Sequence, residues 1–104
     1  MGSPKIKVPE KQLAAFCERH HIIRLSLFGS VLRDDFGPES DIDVLVEFEP
    51  SHTPGWEIVD IGDELSALLG GHRIDMVNPK YLNPRLKHQI LNSAVLQYEA
   101  THAT

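Results

Sequence analysis

Residues 22–48 read IIRLSLFGSVLRDDFGPESDIDVLVEF, and the organisation of the whole chain follows from them. Ile22 to Phe28 is rich in β-branched and apolar residues and reads as a strand. It runs directly into Gly29-Ser30, then into a short polar and charged stretch that ends at Gly37-Pro38. Ile42 to Phe48 is a second strand, with Asp41 before it and Pro50 after it. Its alternation places Ile42, Val44, Val46 and Phe48 on one face and Asp41, Asp43, Leu45 and Glu47 on the other.

Around this pair the remaining elements fall into place. Upstream, Pro9 and Glu10 suit a first helical turn, Leu13, Phe16 and Cys17 recur at helical spacing, and His20-His21 closes the helix. Downstream, a loop from Pro50 to Gly55 precedes a helix over about Trp56 to Leu69. Its apolar stripe is Ile58, Ile61, Leu65, Leu68 and Leu69, and Gly70-Gly71 stops it. Arg73 to Val77 is a third strand, ended by Asn78-Pro79. A last helix starts at Pro84 and leaves an extended tail near Val95 to Tyr98. The order α-β-turn-β-α-β-α predicts an α/β (α+β) domain spanning residues 1–104: a small mixed sheet with helices packed on one face.

Asp41 and Asp43, one residue apart on a strand, point their carboxylates to the same side. At about 4 Å two such charges repel by roughly 1 kcal/mol in water and about 4 kcal/mol at an effective dielectric of 20. Folding gains nothing from that, so a positive group is expected there. Hard oxygen donors favour Mg²⁺. Asp75 joins them by parity: with Ile74 and Met76 facing the helical layer, Asp75 projects to the side of Asp41 and Asp43 if the strands are neighbours. Three carboxylates on one sheet face suit two divalent ions straddling an in-line displacement. An acidic strand end facing solvent is the plain alternative. Gly29 after a strand allows close backbone approach to a ligand, and Ser30 supplies a hydroxyl for a phosphate oxygen. Arg33, just beyond, can offset triphosphate charge or pair with Asp34 or Asp35.

Bulk properties narrow the function. The chain has 104 residues and a net charge of −5, which argues against a broad footprint for extended nucleic acid. No apolar run approaches the roughly 18 residues that span a membrane. Met1-Gly2-Ser3-Pro4-Lys5 lacks the apolar core of a secretory signal, so a cytoplasmic protein is expected. The lone Cys17 has no partner for a disulfide and reads as a buried thiol. Six histidines are scattered at 20, 21, 52, 72, 88 and 102, with no spacing that suggests a metal site. Trp56 and Ile58 read as core or interface rather than as a base-stacking platform. Lys80, Arg85 and Lys87 read as a solvated helix start, and Glu47 shares the face of Asp41 and Asp43 but lies two same-face positions beyond them.

Leu27-Phe28-Gly29-Ser30, Arg33 and Ser40-Asp41-Ile42-Asp43-Val44-Leu45-Val46 together resemble the signature of the DNA polymerase β-like nucleotidyltransferase superfamily. There a Gly-Ser pair is followed, after ten intervening residues, by Asp-x-Asp, and Ser30 and Asp41 keep that interval. The short length and Arg73 to Pro79 resemble the minimal nucleotidyltransferase branch, often the antitoxin partner of HEPN-domain toxins. The resemblance covers roughly residues 10 to 98. It implies that Asp41 and Asp43 ligate both metals and that Asp75 is the third carboxylate, binding the activating ion or serving as base. Gly29 and Ser30 would hold the triphosphate, with Arg33 assisting. The implied reaction is attack of a hydroxyl, a tyrosine of the toxin, on the α-phosphorus of ATP with Mg²⁺ or Mn²⁺, releasing pyrophosphate. A partner protein or a self-dimer would complete acceptor recognition. Two alternatives remain at this point: an antitoxin that neutralises by binding alone, and a polymerase acting on RNA, which the charge disfavours.

Overall fold

The computed structural model describes residues 4–100, so Met1–Ser3 of the N-terminal stretch and His102 lie outside it. Helix α1 (Glu10–Arg19) starts after Pro9, whose extended backbone turns the chain into the first turn, and buries Leu13, Phe16 and Cys17. Those three positions are the i, i+3, i+4 stripe of the sequence. His20 and His21 end the helix, and His21 adopts φ 59° as the chain reverses into strand β1 (Ile22–Phe28). Gly29–Leu32 form a 3-10 turn, and strand β2 follows at Ile42–Phe48.

Helix α2 (Ile58–Leu68) starts at the first residue of its apolar stripe, two residues later than the expected Trp56, and Gly70 and Gly71 close it with φ values of 95° and 90°. Strand β3 (Ile74–Val77) comes next, then a 3-10 turn at Pro79–Tyr81 and helix α3 (Pro84–Ser93). The start of α3 is set by Asn83, whose Oδ1 accepts the Leu86 amide at 2.9 Å, with Pro84 in the first helical position. The tail expected near Val95 is a fourth strand, β4 (Val95–Glu99).

The sheet order is β3-β2-β1-β4. β1 pairs antiparallel with both β2 and β4, while β2 and β3 are parallel, the geometry that a helical crossover through α2 allows. The mixed sheet and α+β class match expectation. Helices α1 and α2 cover one face, where Leu25, Leu27, Val44 and Val46 meet Phe16, Cys17, Ile61 and Leu65. Ile74 and Met76 pack against that same core, as the parity of β3 requires. Glu64 ties the two helices together at the surface by accepting from Arg19 and pairing with His20. Those contacts hold its carboxyl below the usual carboxylate range, Arg19 first and His20 second.

One apolar expectation narrows. Trp56, read as core or interface, is 94% exposed in the turn that precedes α2, outside both the core and the helix, which leaves only the interface reading. Leu45, on the aspartate face, is buried, and so is Ser26 beside it in β1. Helix α3 contributes no buried residue. Its Lys87 and Leu91 instead line a cleft of about 560 Å³ with Arg24, Glu47 and Tyr81.

Cys17 is fully enclosed, and burial pushes its thiol up to about 12, with Glu18 adding to the rise. At pH 8 only about 10⁻⁴ of such a thiol is thiolate, the reactive form. The native chain should therefore stay unmodified by iodoacetamide and gain one adduct in denaturant. Intact mass reads the difference.

Candidate active site

The sequence predicts one meeting point for Gly29, Ser30, Asp41, Asp43 and Asp75. In the structure β1 ends where β2 begins, with Phe28 opposite Asp43. On the other side of β2, Asp43 is the direct register partner of Asp75. Parallel partners share a face, so Asp43 and Asp75 project together from the side opposite the helical core. Asp75 thus lies on the side that the inward-facing Ile74 and Met76 leave to it. Asp41 immediately precedes the β2 ladder, two positions before Asp43 and thus on its side.

Several contacts fix the start of β2. The Ile42 amide donates to the Arg73 carbonyl at 2.8 Å, locking the Asp41–Asp43 segment to the approach of β3. His72 Nδ1 lies 3.0 Å from the Ser40 carbonyl, which can only accept, so that nitrogen carries the proton. The Ser66 hydroxyl in turn donates to the His72 carbonyl. His72 thereby joins α2, β3 and the aspartate segment. Its sequence position, among scattered histidines, gave no hint of that part.

Gly29 is where the site is tightest. It has φ 75°, and a Cβ built on it would overlap Asp43 Oδ2 and lie 3.2 Å from Asp43 Cγ. Glycine is thus required twice, by its left-handed backbone and by the carboxylate against it. Ser30 works from both ends. Its backbone amide donates to the Asp43 carboxylate, and its hydroxyl donates to the Asp41 carbonyl at 3.0 Å. To reach a phosphate the hydroxyl must rotate about χ1. Arg33 follows the 3-10 turn and pairs with Asp35 at 3.6 Å. Its charge reaches Asp43, but as the smallest of the influences there. Asp34 pairs instead with Lys5, at 3.0 Å.

The electrostatics mark Asp43 as the strained group. Its carboxyl lies above the ordinary range, first because it is desolvated, then because Asp75 and, less, Asp41 are negative neighbours. The Ser30 amide and Arg33 oppose the rise without cancelling it. A carboxyl raised on folding stabilises the chain while it stays protonated. That contribution is complete below the unfolded value and is lost as pH climbs through the native one. Asp43 should therefore titrate above ordinary carboxylates in a carbon-detected NMR series. Asp75→Asn should move its midpoint down, and an unmoved midpoint would show that the two do not interact.

The donor set fits a hard divalent cation: three carboxylates, no nitrogen or sulfur, and a desolvated member raised by like charge. The trio is splayed, however. Among the described residues, the one set of three potential ligand groups within 4.8 Å of one another is His21, Glu49 and His52, not these aspartates. Glu47 is committed elsewhere, accepting from Arg24 at 3.0 Å. Lys80 and Lys87 line the cleft beside α3, and the Lys80 ammonium lies 5.9 Å from the Tyr81 ring.

Residues 9–97 match the family model described as a nucleotidyltransferase domain. The chain belongs to that family. Within it, similarity places this nucleotidyltransferase in the minimal branch. It is 38% identical over 77 residues to a protein of Methanocaldococcus jannaschii provisionally named protein adenylyltransferase MJ0435, a stretch covering 74% of this chain and 81% of that one. It is 32% identical to the protein adenylyltransferase MntA of Thermococcus cleftensis, over 75% of this chain and 77% of the relative. Among solved structures it is similar to one described provisionally as a minimal nucleotidyltransferase, with 36% identity, a TM-score of 0.69, and coverage of 83% of this chain and 86% of the other. The fold is also shared with a toxin–antitoxin structure containing AMP-PNP, at TM-score 0.69 and 16% identity, covering 90% of this chain and 76% of that chain. This nucleotidyltransferase has no described helix long and apolar enough to cross a membrane.

Proposed function

We propose that this nucleotidyltransferase moves AMP from ATP to a hydroxyl of a partner protein, a tyrosine of a HEPN-type toxin, and so acts as a cytoplasmic antitoxin. The observation that carries the reading is the register pairing of Asp43 with Asp75 beneath Gly29, whose missing side chain leaves room for the Asp43 carboxylate. The adenylyltransferase names of the relatives support AMP as the group and protein as the acceptor. A net charge of −5 favours a protein over a polynucleotide in that role.

Asp41, Asp43 and Asp75 would hold two Mg²⁺ or Mn²⁺ ions, which when bound offset charge on the attacking and leaving oxygens. The remaining work belongs to the chain. Gly29 leaves the end of β1 without a side chain, so a triphosphate can lie along the turn that follows. Ser30 turns its hydroxyl from the Asp41 carbonyl to a phosphate oxygen, and Arg33 leaves Asp35 to offset the triphosphate charge. Asp75, on the edge strand β3, is open to an incoming acceptor and takes its proton as the new O–P bond forms at the α-phosphorus. The bond to pyrophosphate breaks on the opposite side. His72 holds the aspartate segment in place through the Ser40 carbonyl.

Trp56, Val59 and Tyr81 are large, exposed and apolar, side chains of the kind a protein partner covers. They would serve equally an antitoxin that neutralises by binding alone. Incubating the partner toxin with the enzyme, ATP and Mg²⁺ tests the catalytic reading. The expected result is a gain of one or more AMP units in the toxin's intact mass. A toxin that is restrained at unchanged mass rejects transfer and leaves binding.

A further inference from the structure

At the far end of β2 from the aspartates, three side chains from separate segments converge. His21 lies in the turn between α1 and β1, Glu49 follows β2, and His52 ends the 3-10 turn at Pro50–His52. One potential ligand atom from each residue lies within 4.8 Å of those of the other two. His21 Nδ1 is 3.4 Å from one Glu49 oxygen and His52 Nδ1 is 3.7 Å from the other. Ser51 Oγ also touches His52 Nδ1, at 3.1 Å. We propose that His21, Glu49 and His52 form a second cation site, distinct from the aspartate face, for a borderline divalent ion of the zinc class.

The backbone builds this cluster. The Glu49 amide donates to the His21 carbonyl at 2.9 Å, and the His52 amide donates to the Glu49 carbonyl at 2.9 Å. His21 itself holds φ 59°, where glycine or asparagine would end the helix at less cost. The strain there places an imidazole against Glu49. Two imidazoles and one carboxylate are the donors that zinc accepts, whereas Mg²⁺ prefers oxygen alone. The two rings now stack, with centroids 3.7 Å apart and planes 14° from parallel. Parallel planes cannot both contain one ion, so one ring must turn about χ2. Both side chains are nearly half exposed and have the room. Strand β2 separates the two sites by about 20 Å, at roughly 3.3 Å per residue, so ions at each are independent. Three ligands leave a further coordination position for water or a donor from another molecule.

The test is zinc titration by calorimetry of the full chain, alongside thermal melts with Zn²⁺ and then EDTA. The wild-type protein should bind zinc and melt higher, reversibly. His52→Ala and Glu49→Gln should each weaken that binding by at least about tenfold and abolish the shift in Tm. Asp41→Asn with Asp43→Asn should keep both. His21→Asn, which retains the left-handed backbone, separates ligand loss from misfolding. Absence of zinc binding in the wild type overturns the proposal, as does unchanged affinity in the His52 and His21 variants. Zinc binding lost only with the aspartates also overturns it.

Discussion

Replacing Asp41 and Asp43 together by Asn lowers nucleotidyl transfer by at least about 10³-fold, the scale on which removal of a group stabilising transition-state charge acts, and leaves the chain folded. The reason for the second half is particular to this site. Asp43 is held above its ordinary range by desolvation and by Asp75, so its charge is a burden on the fold rather than a support. Asparagine keeps an oxygen for the Ser30 amide and removes the repulsion. Tm should equal or slightly exceed that of the wild type. Melting curves paired with the toxin mass assay check both. A variant that loses transfer because it unfolds would refute the electrostatic account of Asp43. Should the folded double variant still neutralise the toxin, binding rather than chemistry restrains it.

Gly29→Ala is expected to be the most damaging single-methyl change in the chain. At φ 75° an L-residue is strained by about 1–2 kcal/mol, before the new Cβ meets Asp43 Oδ2. For a domain of this size, about 2 kcal/mol lowers Tm by roughly 8–15 °C. Transfer should fall by at least about 10²-fold, since a displacement near 1 Å at reacting groups is enough for that. Gly37→Ala is the control. A Cβ at Gly37 meets nothing within 4 Å, and neither Tm nor transfer should move. Comparable Tm values for the two variants would mean that the Gly29 turn is not under the constraint described.

The strands and helices that carry the site were legible because their patterns are local. The alternation of Ile42 to Phe48 assigns Asp43 to a face without knowledge of the neighbours. Asp75 needed one further step, that a strand–helix–strand unit lays its strands in parallel, and Ile74 and Met76 then fix the parity. What could not be read depends on pairing. Val95–Glu99 is a strand because β1 offers an edge to it, while Leu96, half exposed, gives no alternation to announce the fact. The meeting of His21 with His52 follows from the pairing of Ile22 with Phe48, which brings residues 21 and 49 side by side. Scanning histidine spacing along the chain misses a cluster closed by a strand pair. Gly29 was legible as a glycine at a strand end. That its missing side chain accommodates a carboxylate from β2 is a tertiary fact.

The most direct measurement of the central claim is a crystal grown with a non-hydrolysable ATP analogue and Mn²⁺, with anomalous diffraction at the manganese edge. Manganese is expected on Asp41, Asp43 and Asp75, with the analogue's phosphates along Gly29-Ser30. Manganese bound elsewhere, with Asp75 turned from Asp43, would contradict it.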